Sequence, residues 1–172
     1  MSKQPLDPVP EGYHTVNPWI IPKGAAKLID FLKDVFEAEE SEDARMLDTD
    51  GLIIHAEVKI GDSVVMIFDS KNDWPPTPAF LQVYAADATA VLKRAEKEGA
   101  QIITKLTDAW YGEKLARFRD PWGNLWWVHE RTKEVDWETE AAEVEKAFEE
   151  AVESGKSGYI YDTLLQAMKN KS

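Results

Sequence analysis

The chain has 172 residues, 44% hydrophobic and 30% charged, the profile of a globular protein long enough to bury a core. Its formal charge of −12 argues against nucleic acid or an anionic membrane as partner, because both require a basic footprint. There is no cysteine for a disulfide framework or thiolate metal site, no apolar run of the roughly 18–20 residues that span a bilayer, and no signal-like apolar segment after Met1-Ser2-Lys3-Gln4-Pro5, so a cytoplasmic protein is expected.

Residues 1–13 carry Pro5, Pro8, Pro10 and Gly12 and read as an extended lead-in. Tyr13 to Ile21 reads as a strand, with Pro18 demanding an edge or bulge position. Ala25, Leu28, Ile29, Leu32, Val35 and Phe36 recur at helical spacing and predict an amphipathic helix. A polar stretch, Glu37 to Asp43, closes it. Ala44 to Asp48 is a short strand, Thr49-Asp50-Gly51 a turn and Leu52 to Ile60 a strand whose Ile54, Ala56, Val58 and Ile60 alternate with His55, Glu57 and Lys59. Val64 to Phe68 completes the unit after the turn at Gly61-Asp62.

Three prolines between Ser70 and Pro78 mark a linker, after which the pattern restarts. Phe80 to Tyr84 is a strand, and Asp87 caps a helix built on Ala88, Val91, Leu92 and Ala95 with Gly99 as its stop. Gln101 to Leu106, Glu113 to Arg119 and Leu125 to Val128 are strands. Trp110-Tyr111-Gly112 joins the first two, and Asp120-Pro121-Trp122-Gly123-Asn124 forms a hairpin turn between the last two. Both halves therefore read β-α-β-β-β, at 13–69 and 79–130, a duplicated unit whose copies are expected to pack around a shared cleft within one domain, 1–131. Residues 132–172, with ten acidic residues against five lysines, form a helical extension. It holds a stripe of Ala141, Val144, Phe148, Ala151 and Val152, capped by Asp136 or Thr139 and stopped by Gly155. A second helix, Ile160 to Met168, follows.

Several segments carry a family resemblance: Pro10 to Trp19, Ile54 to Met66, Trp110-Tyr111-Gly112 and Arg119-Asp120-Pro121-Trp122-Gly123-Asn124-Leu125-Trp126-Trp127. Together with the repeat they make residues 10–131 resemble the vicinal oxygen chelate superfamily, which includes glyoxalase I, bleomycin-resistance proteins and extradiol dioxygenases, and within it the PhnB-like proteins. The resemblance implies an α+β fold of two modules with curved mixed sheets around a cleft, and a homodimer. Enzymatic members hold a divalent ion with His, Gln or Glu near the start of each module's first strand and in each last strand. The matching positions here are Asn17, Met66 or Ile67, Phe80 and Trp127, and a slip of one or two residues adds Gln82, Trp126 and His129. Apolar side chains cannot replace imidazole or carboxylate, so neither metal nor other cofactor is expected.

His55 and Glu57, two apart on one strand, share a face and form the candidate catalytic pair, as ligands or as an acid–base couple. The alternative places both on a solvated face. His14 and His129 read as structural or merely exposed. Seven tryptophans point to an aromatic cleft, with Trp19, Trp110 and Trp126 as ligand-binding walls and Arg117 and Gln82 as polar groups beside them. Of Trp126 and Trp127 only one can line a given pocket, and Trp127 is the one expected in the core. The sequence thus favours a metal-independent protein that binds a small aromatic or amphipathic molecule. A metal-dependent lyase, isomerase or dioxygenase using His55 and Glu57 is the alternative.

Overall fold

A computed structural model describes residues 6–75 and 77–169. The start of the lead-in (1–5) and Pro76 of the linker lie outside the described residues. The chain divides into two compact units, Met1–Pro78 and Ala79–Ser172.

In the first unit, β1 (Trp19–Ile20) is followed by α1 (Ala25–Phe36), β2 (Glu39–Glu40), a single 3-10 turn, β3 (Met46–Leu47), β4 (Ile53–Ile60) and β5 (Ser63–Ile67). The sheet order is β1-β5-β4-β2, with β3 also on β4; β1 runs parallel to β5 and the other pairs are antiparallel. The strand expected over Tyr13 to Ile21 shrinks to two residues. Pro18 has no N–H for the ladder, though its carbonyl accepts from Met66 N at 2.9 Å, and Asn17 closes a local turn with His14 instead. The polar stretch after α1 contains a strand the pattern did not show. Glu40 holds β2 in place by pairing with Lys33 and Arg45, each at 2.6 Å.

Alternation in β4 breaks once. Met46 pairs with His55 but Leu47 pairs with Ile53, so Ile54 is an extra residue in the ladder. The bulge puts Ile53 in the core and leaves Ile54 46% exposed, against the expected placement of Ile54 with Ala56 and Val58. Those two and Ile20, Ile67 and the buried stripe of α1 form the core of this unit. Gly24, at the N-cap of α1, has no side chain to offer; the Asp69 carboxylate accepts from Gly24 N, Ala25 N and Ile53 N at 2.7–2.8 Å.

In the second unit, β6 (Phe80–Tyr84), α2 (Ala88–Lys97), β7 (Gln101–Asp108), β8 (Glu113–Arg119) and β9 (Leu125–Arg131) form a sheet of order β6-β9-β8-β7, with β6 parallel to β9. Asp87 caps α2 as its spacing requires, accepting from Ala90 N, and Glu130 of β9 accepts from Ala88 N at 2.9 Å. Ala116, Phe118, Trp126 and Val128 are buried with the apolar stripe of α2.

α3 (Ala141–Glu153) and α4 (Lys156–Lys169) follow. Neither expected cap bonds the first turn of α3, whose N-cap is Glu140; Asp136 instead orders the preceding turn by accepting from Glu138 N. α4 lies against β7. Thr163 hydrogen-bonds Thr104 at 2.8 Å, and the Tyr159 hydroxyl accepts from Lys105 N at 2.9 Å on the edge strand.

The hairpin turn centres on Asp120, which is 3% exposed. Its carboxylate accepts from Trp122 N, Asn124 N, the Asn124 side-chain amide and the Trp126 indole at 2.7–3.0 Å, while Gly123 takes a φ of 90°. Burial pushes this carboxyl above the ordinary range, and the four donors pull it back. Asp120→Asn would aim an amide at donors that need an acceptor. It should cost about 1–3 kcal/mol, read as a lower midpoint in denaturant unfolding. Glu130 is held below the usual carboxylate range by the Ala88 N–H and then by Lys114. Its stabilising contribution is therefore complete above about pH 5 and lost as pH falls through its lowered folded value. Thermal melts should show a gap between wild type and Glu130→Gln that is constant above that pH and narrows below it.

Candidate functional site

Each unit presents one sheet face away from its buried core, and both faces collect aromatic and titratable side chains. In the first unit, Trp19, Met66 and Glu57 stand in one row across β1, β5 and β4. His55 Nε2 lies 3.0 Å from Glu57 Oε1, so strand alternation brings the expected pair together. Glu57 is also held from outside the strand, by the Tyr13 hydroxyl donating to both carboxylate oxygens at 2.8 and 2.7 Å. That hydrogen bond, reinforced by burial and the carboxylate charge, raises the Tyr13 phenol above its ordinary value. Trp19 packs edge-on against His55 and Phe68, and Phe68 against Trp74. His14 is exposed, its Nε2 3.0 Å from the Asp62 carbonyl.

In the second unit the corresponding row is Thr104, Arg117, Trp127 and Gln82, and the next is Leu115, His129 and Tyr84. Phe80 and Trp127 stack with their planes 2° apart and centroids 5.9 Å apart. His129 belongs to β9, and at 4% exposure it is buried, contrary to its reading as a residue beyond the last strand. Glu113 Oε2 lies 2.6 Å from its Nδ1. Trp127, Tyr84 and Tyr111 surround the imidazole. The Tyr111 phenol is raised by burial and by the charge of Glu113.

Three polar atoms here are buried without a hydrogen-bond partner: Trp127 Nε1, His129 Nε2 and Arg117 Nε. Each such group costs about 1–3 kcal/mol relative to a satisfied one. Arg117, 1% exposed, lies 3.9 Å over the Trp127 ring, and burial lowers its pKa to about 10, leaving it cationic at neutral pH.

The structure reverses the expected tryptophan faces. Trp126 is 1% exposed, parallel to Phe118 and donating to Asp120, so it belongs to the core and not to a ligand wall. Trp127, half-buried, lies on the opposite face with Arg117 and His129. Trp110 turns toward Phe148 of α3, centroids 5.0 Å apart, and lines a cavity of about 670 Å³ between α3 and the 109–112 loop. Gly112 anchors that loop: its carbonyl accepts from Thr132 N and Lys133 N, and a Cβ there would meet Lys133 and Val135 at 2.8 Å. Sequence reasoning missed Phe80, Tyr84, Tyr111, Glu113 and His129 as a group. Alternation along β6, β8 and β9 would have placed four of them beside Gln82 and Arg117.

Among the described residues no group of three or more His, Cys, Asp or Glu side chains converges.

Two modules with a parallel first and last strand, each burying a helix on one sheet face, define a class of duplicated βαβββ proteins. The chain belongs to the Glyoxalase/Bleomycin resistance protein/Dioxygenase superfamily, whose family model matches residues 14–128. An uncharacterised protein of Mycobacterium bovis is 30% identical over 132 residues, covering 70% of this chain and 86% of that one. An uncharacterised Mycobacterium tuberculosis protein is equally similar, with 76% of its length covered. Among solved structures, TioX of Micromonospora sp. ML1 superposes with a TM-score of 0.55 at 21% identity, over 72% of this chain and all of that one. A PhnB protein of Bacillus cereus gives 0.54 at 19% identity, over 67% and 98%. The fosfomycin resistance protein FosX of Mesorhizobium loti gives 0.52 at 16%, over 69% and 92%. These identities speak for fold. α3 and α4 lie beyond the family match.

The face assignment has a direct test in calorimetry. Trp126→Ala should cost about 3–5 kcal/mol through the cavity it leaves, whereas Phe80→Ala, at a half-exposed edge position, should stay within about 1 kcal/mol. A Trp126→Ala chain that melts like wild type would overturn the assignment.

Proposed function

We propose that the chain is a small-molecule-binding member of its superfamily that takes a planar aromatic or amphipathic ligand, without a metal, on the Phe80–Trp127 face of the second module. The observation that carries this reading is the parallel aromatic pair set beside three unpartnered buried polar atoms, an apolar wall with hydrogen-bonding capacity to spare. Gln82 and Arg117 flank it, as polar groups that would orient a ligand. Trp19 supplies an aromatic wall to the first module's face. That resistance proteins such as FosX share the fold is consistent with a small-molecule ligand. We further propose a cytoplasmic homodimer with no nucleic-acid partner. Its acidity disfavours polyanions, and the edge strand β6 with its exposed Tyr84 suits a second subunit.

A second reading, a metal-dependent lyase, isomerase or dioxygenase, draws on the His55–Glu57 contact. Elemental analysis of purified protein separates the two. The binding reading expects well under one transition-metal ion per chain, and about one ion, lost in His55→Ala or Glu57→Ala, overturns it.

For the site itself, 2-naphthylmethanol should quench tryptophan fluorescence saturably, and Phe80→Ala should weaken it by about 1–3 kcal/mol, the range for losing a ring stacked on an aromatic side chain. Light scattering should give about twice the 19.5 kDa chain mass; a monomer at micromolar concentration would refute the dimer.

A further inference from the structure

We propose that Arg117 is an anion-recognition residue on the sheet face that α4 covers, and that α4 is its built-in occupant, with the Ile160 carbonyl standing where a ligand carboxylate would bind. The proposal rests on the binding reading above and deepens it: the ligand class is a planar aromatic carboxylate, ring on Phe80 and Trp127, anion on Arg117.

Arg117 sits mid-row between Thr104 and Trp127, with its guanidinium stacked on the indole. A buried cation ordinarily has a buried carboxylate beside it, because desolvating a lone charge is costly. No acidic side chain pairs with Arg117 among the described residues. Its Nη1 donates only to neutral oxygens, Thr104 Oγ1 at 3.1 Å and the Ile160 carbonyl at 2.7 Å, and Nε has no partner. A guanidinium presents five donors in a fork that matches a carboxylate, and a single backbone carbonyl satisfies only part of it. The Ile160 carbonyl is also shared, since Thr163 Oγ1 reaches it at 3.3 Å.

α4 is attached in a way that allows it to leave. Only Ile160 and Ala167 of this helix are buried, while Tyr161, Leu165 and Met168 are exposed. Hydrogen bonds tie it to the sheet: Thr163 to Thr104, Tyr159 to Lys105, Arg117 to the Ile160 carbonyl and Arg119 to the Ala167 carbonyl. Gly155, at φ 74°, precedes it, and Gly158 lies in its first turn. An element with so little buried apolar surface belongs to the low-stability end of a fold. A ligand carboxylate would replace one neutral acceptor with a charged, two-pronged one, and the differential affinity for the α4-released state would shift the population toward release.

The test uses the full chain, which has no cysteine of its own. The Thr104 and Thr163 hydroxyls are 2.8 Å apart, so the double variant Thr104→Cys, Thr163→Cys can tie α4 to the sheet under oxidation and free it under reduction. Binding of 2-naphthoate and of its neutral analogue 2-naphthylmethanol is followed by tryptophan fluorescence. The expected result is that oxidation weakens 2-naphthoate at least tenfold relative to the same protein reduced, and changes 2-naphthylmethanol less than twofold. Arg117→Gln should abolish the preference for the carboxylate. Equal naphthoate binding in both redox states, or a preference that survives Arg117→Gln, overturns the inference while leaving the aromatic site intact. Binding of neither probe overturns both.

Discussion

The carboxylate of Asp120 sets the phase of the strand on which the second module depends. By gathering two backbone amides of the turn, the Asn124 amide and the Trp126 indole, it ties the first residues of β9 to the end of β8. Asn124 in turn passes the register to β6, its side-chain oxygen accepting from Ala79 N. Once Trp126 points at Asp120 and the core, alternation leaves no choice for the rest. Val128 is buried with it, and Trp127 and His129 go to the other face, opposite Arg117 and Leu115. A slip of one residue would exchange every one of these placements.

The two units solve the same local problem with different residues. In each, the helix that covers the sheet begins near a carboxylate on or just after the last strand: Asp69 for α1 and Glu130 for α2. Such a carboxylate satisfies an otherwise unpaired amide and complements the positive end of the helix. The helix is thereby fastened to the strand that also pairs with the module's first strand. Where the helix has its own cap, Asp87, the strand carboxylate needs to bind only one amide. Where the cap is Gly24, it binds two and reaches Ile53 as well.

On their open faces the modules differ in polar balance. The first has its histidine and carboxylate locked with a tyrosine hydroxyl, a network in which both Glu57 oxygens are occupied. The second has a histidine–carboxylate contact too, but leaves Nε2, an indole N–H and one guanidinium N–H buried and unpaired. Uncompensated polar groups are kept where a ligand or a moving segment completes them more readily than where only stability is at stake. The unpartnered buried polar atoms are therefore concentrated in the second module, and α4 reaches that same face.

Much of the architecture follows from periodicity alone. The α1 and α2 stripes, the Asp87 cap, the Gly99 stop, the repeat and the hairpin turns are local patterns, each set by residues close together in the chain. His55 and Glu57 could be paired from sequence because a spacing of two on a strand brings side chains to one face. Other features depend on partners distant in sequence. The bulge at Ile54 arises from how β3 meets β4, and the inward turn of Trp126 from a carboxylate six residues earlier. The burial of His129 comes with Glu113 across the hairpin, and the capture of Arg117 with a helix 43 residues further on. Composition and alternation determine which residues can share a face. Which face is closed, and by what, is decided only when strands pair and helices dock, because those contacts carry no local signature.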